Sequence, residues 1–173
     1  MKVLIIIDMQ NDFVTGTLAN PAAEKIVDKI ADYARNFNGY VVETRDTHDQ
    51  GYLKTQEGKR LPVEHCICFS EGWEIVKPLQ NIATAMMVID KPTFGYAEEI
   101  AMTLNDNLTD IDTIEFVGTV TEICVVSNVL GLKPYFPEAR FIVHADMCAG
   151  LSEEGHKAAL TTMKACQVDV VGE

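Results

Sequence analysis

The sequence contains few basic residues. Fourteen Lys and Arg stand against 26 Asp and Glu, which gives the 173-residue chain a formal net charge of −12. Nucleic acids and anionic lipid surfaces are bound through basic patches that neutralise phosphate charge, so this shortage argues against both classes of partner. We therefore expect a small molecule as the partner, with no nucleic acid and no membrane.

Long apolar runs are also missing. The apolar run at residues 3–7 ends at Asp8, whereas a secretion signal needs about 7–15 apolar residues. No stretch of the sequence reaches the ~18 apolar residues needed to cross a bilayer. Cysteine occurs only five times, an odd number, so at least one thiol stays free unless chains are cross-linked. We expect a cytoplasmic protein with reduced thiols.

What is present is the composition of a folded domain, with 47% hydrophobic and 23% charged residues. Short apolar segments rich in β-branched residues alternate with segments of helical periodicity. The predicted strands are residues 3–7, 39–44, 85–89, 113–117, 140–144 and 168–171, and the predicted helices are residues 20–38, 96–104, 122–132 and one beginning at Ser152. This alternation predicts an α/β fold with a parallel sheet and right-handed crossovers.

Three reactive side chains follow predicted strands. Asp8 follows the first strand, Lys91 the third, and Cys124 comes shortly after the fourth. Because ligands of parallel α/β sheets bind outside the carboxyl ends of the strands, these groups can converge in one crevice. At a helix start, free N–H groups stabilise a thiolate and can hold an oxyanion. Taken singly, each residue also fits a structural role: a helix cap or ion pair for Asp8, a solvated amine for Lys91, a core thiol for Cys124.

A second group of polar residues lies in the longest irregular segment, residues 45–74. Asp46 and His48 are two residues apart, and His65 follows after a spacer. A carboxylate with two imidazoles can ligate a divalent cation. Two alternatives stay open here: Glu64 could serve in place of one of these ligands, or the residues could be unrelated polar side chains of a loop.

Three motifs, taken together, are specific to a family. They are DMQNDF at residues 8–13, DKPTF at residues 90–94 and GTVTEICV at residues 118–125. In their order, spacing and placement at strand ends, the chain resembles the isochorismatase-like cysteine hydrolases, the superfamily of nicotinamidases and N-carbamoylsarcosine amidases, nearly from end to end. The resemblance implies one domain over residues 1–173, a three-layer αβα fold with a mainly parallel six-stranded sheet.

The resemblance also implies a function. Cys124, Asp8 and Lys91 would form the catalytic triad of an amidase that cleaves a small carboxamide and releases ammonia through a thioester. A cis peptide bond before Val120 is implied as well, with the N–H groups of Val120 and Cys124 forming an oxyanion hole. Phe13 is expected to present its ring to the substrate.

Nicotinamidases are similar to the chain at Asp46, His48 and His65, which implies a divalent metal, either zinc, manganese or iron, and no organic cofactor. Where they usually have a Trp-Pro pair ahead of the metal-binding His, this chain has Leu61 and Pro62. We expect a small-molecule amide as the substrate and a homo-oligomer as the assembly.

Two other functions stay open. An isochorismatase-type vinyl-ether hydrolase needs an acid but no thiol nucleophile, so the presence of Cys124 argues against it. A non-catalytic binding protein could have kept the same fold, and the intact set of Asp8, Lys91 and Cys124 argues against that.

Overall fold

A six-stranded sheet forms the centre of the computed structural model, which describes residues 1–80, 82 and 86–173. Its strands are β1 (Lys2–Ile7), β2 (Tyr40–Asp46), β3 (Met86–Lys91), β4 (Thr113–Thr119), β5 (Arg140–Ala149) and β6 (Asp169–Val171). All neighbours pair in parallel, in the spatial order β3-β2-β1-β4-β5-β6. The predicted α/β class and parallel sheet are confirmed; Ala85, the predicted start of the third strand, lies outside the described residues.

Helices cover both faces of this sheet. They are α1 (Asn11–Val14), α2 (Pro21–Arg35), α3 (Gln56–Arg60), α4 (Ala97–Asn107), α5 (Val126–Leu132) and α6 (Glu153–Ala165), with 3₁₀ turns at Tyr52–Lys54 and Lys77–Leu79 and a π-helical turn at Thr121–Val125. Helices α4, α5 and α6 contribute to one hydrophobic core, and α2 contributes to the other. None of the described helices has the length and apolar character needed to cross a bilayer.

Strand β1 supplies side chains to both cores. Val3, Ile5 and Ile7 belong to the core that contains α4, α5 and α6. Leu4 and Ile6 point to the opposite face and pack in the core that contains α2. A central strand buried on two faces needs apolar residues at every position, which explains why this run is continuous and not alternating.

The end of α2 differs from the prediction. The helix begins as expected, with the Asn20 side chain accepting a hydrogen bond from the Ala22 N–H at 3.0 Å. It ends at Arg35, ahead of the stop predicted at residues 38–39, because the Asn36 side chain donates to the Asp32 carbonyl at 2.8 Å. That bond gives the Asp32 carbonyl, in the last turn, the hydrogen bond that a further helical N–H would otherwise donate.

Strand β5 is longer than predicted. It continues past His144 to Ala149. Its second half pairs with the end of β4, Gly118 opposite Cys148 and Thr119 opposite Ala149, after a shift of register. The polar Asp146 interrupts the apolar pattern, which is why the sequence predicted an earlier end.

Strands β1 and β4 come very close together at their carboxyl ends. Gly118 has a φ of +124°, and a Cβ there would lie 2.1 Å from the carbonyl oxygen of Ile7, so only glycine fits. The chain order of the sheet reverses between these two strands, and the crevice at such a reversal is the usual ligand site of an open α/β sheet. Asp8 leaves β1 here in a left-handed conformation, with a φ of 51°.

Two glutamates of the sheet, Glu43 and Glu115, are buried. Glu43 on β2 is 1% exposed, and neither of its carboxylate oxygens has a hydrogen-bond partner among the described residues. Burial raises its pKa from 4.5 to about 7, against the opposing effect of Arg45. Glu115, also buried, is held differently, since Tyr33 Oη donates to its carboxylate at 2.6 Å and His144 Nε2 lies 2.6 Å from the same oxygen.

Glu43 makes the stability of the fold depend on pH. Between pH 4.5 and about 7, the folded chain keeps a proton on Glu43 that the unfolded chain has lost. The contribution of Glu43 to the free energy of unfolding therefore falls by about 3 kcal/mol as pH rises through this window and is constant above it. We expect Glu43→Gln to remove this fall, so that urea unfolding shows the variant gaining on the wild type from pH 5 to pH 8. A constant difference between the two proteins would contradict the assignment.

Candidate active site

A buried ion pair lies at the carboxyl edge of the sheet. Lys91 Nζ is 2.7 Å from Asp8 Oδ2, and both side chains are fully buried. Thr44 Oγ1 donates to the other oxygen of Asp8 at 2.6 Å. Lys91 Nζ also lies 3.3 Å from the Thr93 carbonyl and 3.4 Å from Asp46 Oδ1. Each charge is thus paired and hydrogen-bonded, which is what burial of an ion pair requires.

Cys124 completes this group. It lies in the π-helical turn after β4, is 6% exposed, and is close enough to Asp8 and Lys91 for both charges to act on its thiol. The turn is held by the carbonyl of Val120, which accepts from the N–H groups of Ile123 and Val125, both at 3.1 Å. The structure therefore brings the three residues that follow separate strands in the sequence into one cluster.

The charges in this cluster influence one another. Burial raises the pKa of Asp8, and the ammonium of Lys91 opposes that effect. Burial alone would lower the pKa of Lys91, but the negative charge of Asp8, with smaller effects of Cys124 and Asp46, holds it above its ordinary value. The 2.7 Å separation of Lys91 Nζ and Asp8 Oδ2 is that of an ammonium paired with a carboxylate.

The Cys124 thiol differs from the expectation that a helix start stabilises a thiolate. Burial and the adjacent Asp8 carboxylate raise its pKa well above its ordinary value, and the opposing effect of Lys91 is smaller. A thiolate would place a second negative charge beside a single ammonium. The resting side chain is therefore a neutral thiol.

A cavity of about 480 Å³ opens onto this cluster. Its lining includes Cys124, Val120 and Phe13, and it also includes Asp46 and His65. The peptide bond that precedes Val120 is cis, as the family resemblance implies. The ring centroid of Phe13 lies 5.6 Å from that of His65. The candidate nucleophile, the candidate oxyanion groups and the predicted substrate-binding ring thus share one space.

The predicted metal ligands also meet at this cavity. Asp46, His48 and His65 are joined by Glu57, and their ligand atoms all lie within 4.8 Å of one another. Nε2 of His48 is 2.9 Å from Asp46 Oδ2, and Nε2 of His65 is 3.4 Å from the same oxygen. Two imidazoles and two carboxylates form a donor set that suits zinc, manganese or iron.

The orientation of the two imidazoles also fits a cation. His48 Nε2 is buried and forms no hydrogen bond with the part of the chain that is described. His65 Nδ1 lies 2.9 Å from the Val63 carbonyl, so this nitrogen donates its hydrogen and Nε2 carries the free lone pair. A backbone carbonyl commonly fixes the tautomer of a metal-binding histidine in this way.

Glu57 is a candidate ligand that the sequence did not reveal. It lies on α3, a short helix within the segment predicted to be irregular, and Thr55 caps that helix by accepting from the Gly58 N–H at 2.9 Å. Glu64, the alternative considered from the sequence, is exposed and is not part of the cluster. The Thr-x-x-Gly start of α3 was the only local signal, and it does not indicate which way Glu57 points.

The DMQNDF motif supports the four candidate metal ligands (the metal cluster). Gln10 receives a hydrogen bond from the Asp46 N–H at 2.7 Å and donates to the Asp46 carbonyl at 2.9 Å. Asp12 accepts from the N–H of Cys66, the residue after His65, at 2.7 Å. The motif therefore fixes the backbone at two of the candidate ligands, a role that sequence reasoning missed.

Asn128 is a second residue that sequence reasoning missed. It is fully buried, and its amide donates to the carbonyls of Cys124 at 2.8 Å and Phe94 at 2.9 Å. Its oxygen accepts from the Tyr96 N–H at 2.9 Å. One side chain thus ties the turn that carries the thiol to the chain that follows Lys91.

Comparisons with known proteins agree with this geometry. Residues 2–172 match the family model described as the isochorismatase domain. The nicotinamidase/pyrazinamidase of Mycobacterium tuberculosis is 27% identical over 186 residues, covering 99% of this chain and 98% of that protein. The nicotinamidase of Saccharomyces cerevisiae is 25% identical over 174 residues, covering 75% and 80%. The solved pyrazinamidase of Pyrococcus horikoshii in complex with zinc has a TM-score of 0.85 and 26% identity, with 99% of each chain covered.

The four-residue cluster predicts metal binding by the purified protein. We expect about one equivalent of a transition metal in protein prepared without a His tag or chelator, and less as pH falls, because imidazoles bind metal only when neutral. His48→Ala and Glu57→Gln should each lower the metal content measured by elemental analysis. Glu64→Gln is the matched control and should keep it. Equal metal content in all four proteins would argue against the site.

Proposed function

The chain belongs to the isochorismatase family, and we propose that it is a cysteine hydrolase that converts a small carboxamide of the nicotinamide type into a carboxylate and ammonia. The observation that carries this proposal is the buried Asp8–Lys91 ion pair beside Cys124, whose side chain lines a cavity. The names of the relatives, nicotinamidase and pyrazinamidase, support an aromatic amide as the substrate.

The first step uses the proximity of the Cys124 thiol to the Asp8 carboxylate. Asp8 removes the thiol proton as the sulfur attacks the amide carbonyl carbon, so a carbon–sulfur bond forms and the carbonyl oxygen becomes an oxyanion. A base whose pKa is raised by burial is well matched to this proton transfer near neutral pH. The N–H groups of Val120 and Cys124 are assigned to the oxyanion, which they stabilise by hydrogen bonding.

The second half of the reaction returns each group to its starting state. Asp8, now protonated, gives its proton to the nitrogen as the carbon–nitrogen bond breaks, and ammonia leaves. Asp8 then takes a proton from water as the water oxygen attacks the thioester. Collapse of that intermediate releases the carboxylic acid, and the sulfur regains its proton from Asp8. Lys91 supplies the fixed positive charge throughout.

A divalent metal is assigned to Asp46, His48, Glu57 and His65. When bound, it would supply a Lewis-acid position at the cavity for a ring nitrogen or another polar group of the substrate. Phe13, beside His65, would then contact the face of a bound ring. A homo-oligomeric assembly and a cytoplasmic location stay predictions.

The nucleophile is tested by replacing cysteines of equal burial. Cys124 and Cys148 are each 6% exposed, but only Cys124 lines the cavity among the residues described there. We expect Cys124→Ala to lower ammonia release from nicotinamide by at least about a thousandfold, while Cys148→Ala keeps most of it. Equal losses in two variants with wild-type circular dichroism would show that the thiol of Cys124 is not the nucleophile.

Asp8 and Lys91 should act as a unit. Asp8→Asn and Lys91→Ala should each lower kcat by at least about 100-fold, the lower end of general acid–base contributions. Because either change alone disables the same proton transfer, the double variant should lose far less than the product of the two effects. Strict additivity of the activation free energies, measured with thermal melting as the control for folding, would contradict a shared role.

A further inference from the structure

A second cavity adjoins the catalytic one. This distal groove has a volume of about 830 Å³ and is lined by residues of the α3 segment and by the turn at residues 92–95. It shares Glu57, Leu61, Phe94 and Ile123 with the catalytic cavity. The two spaces therefore adjoin at a common wall, and Glu57 of the candidate metal site belongs to it.

Large apolar side chains make up most of this common wall. Leu61 is 38% exposed and Phe94 is 48% exposed. The backbone at Phe94 is held by Asn128, which donates to the carbonyls of Phe94 and Cys124. An apolar wall that adjoins a catalytic cavity indicates contact with a ligand.

The combined size of the two cavities exceeds what a single-ring amide fills. Cavities of about 300–1,000 Å³ hold drug-sized ligands, and the catalytic cavity alone, at about 480 Å³, is within that range. The distal groove adds apolar surface beyond the wall, at a distance from the groups that act on the amide. A substituent on the ring would bury apolar area there without disturbing the reacting carbonyl.

We propose that the distal groove is an acyl subsite, and that the preferred substrate is an aromatic carboxamide whose ring carries an apolar alkyl or aryl substituent. This inference rests on the proposed amidase function. The substituent passes the wall formed by Leu61, Phe94 and Ile123 and lies along α3, while the carboxamide stays at Cys124.

The experiment measures kcat/KM by ammonia release from nicotinamide and from nicotinamides that carry an n-butyl or phenyl group at C5 or C6. We expect the kcat/KM of at least one substituted amide to exceed that of nicotinamide by about tenfold or more, since burial of each added CH₂ in the groove favours binding. Because both ring positions are sampled, the result does not depend on the orientation of the ring.

Filling the groove should remove this preference. Gln56 and Arg60 line the distal groove but not the catalytic cavity, so Gln56→Trp and Arg60→Trp should lower kcat/KM for the substituted amide at least fivefold and leave nicotinamide unchanged. Lys59→Trp is the matched control, because Lys59 lies on the same helix and lines neither space. This variant should leave kcat/KM unchanged for both substrates.

Each other outcome overturns a stated part of the argument. Turnover of nicotinamide without preference for any substituted amide would overturn the subsite and leave the amidase function intact. Ammonia release from none of the amides, by folded protein loaded with metal, would overturn both. A dimer in light scattering that Gln56→Trp and Arg60→Trp dissociate would assign the groove to a second copy of the chain and overturn the subsite.

Discussion

The ion pair of Asp8 and Lys91 is the constraint on which the site depends. Asp8 follows β1 and Lys91 is the last residue of β3, and these strands are not neighbours, because β2 lies between them. Strand β2 completes the pair from that position, with Thr44 donating to Asp8 and Asp46 lying 3.4 Å from Lys91. Removing one partner of a buried pair leaves an uncompensated charge that costs about 3–5 kcal/mol. The order of the three strands and the composition of the site are therefore linked.

Asp46 connects the triad to the metal cluster. Its Oδ1 faces Lys91, and its Oδ2 faces the imidazoles of His48 and His65. Burial would raise the pKa of Asp46, but the adjacent imidazoles of the two histidines and the charge of Lys91 hold it below its ordinary value. Asp46 is thus negative, and with Asp8 and Glu57 the region has more carboxylates than Lys91 can balance. A divalent cation at the cluster would compensate this excess of negative charge.

The sequence was sufficient to predict the sheet and the convergence of Asp8, Lys91 and Cys124, because parallel strands end at one edge and β1 is apolar at every position. It also predicted three of the four residues in the metal cluster. Glu57 could not be predicted, since its direction depends on how α3 packs against the 3₁₀ turn at Tyr52–Lys54. The protonation of Cys124 could not be predicted either. The sequence indicated a helix start, but the pKa is determined by burial and by Asp8, which comes from a strand more than a hundred residues away in the chain.

A protonated resting thiol has a consequence for the proposed reaction. At rest the triad contains one ammonium, one carboxylate and one neutral thiol. After attack it contains the same ammonium, a neutral carboxylic acid and a neutral thioether, and the single negative charge has moved to the oxyanion. The net charge inside the buried site is therefore constant, so no step requires a new charge to be created away from water, which would be costly. A preformed thiolate would add one uncompensated negative charge before the substrate arrived. The buried lysine and the protonated thiol thus act together, because a single negative charge moves from Asp8 to the oxyanion while the positive charge of Lys91 stays fixed beside it.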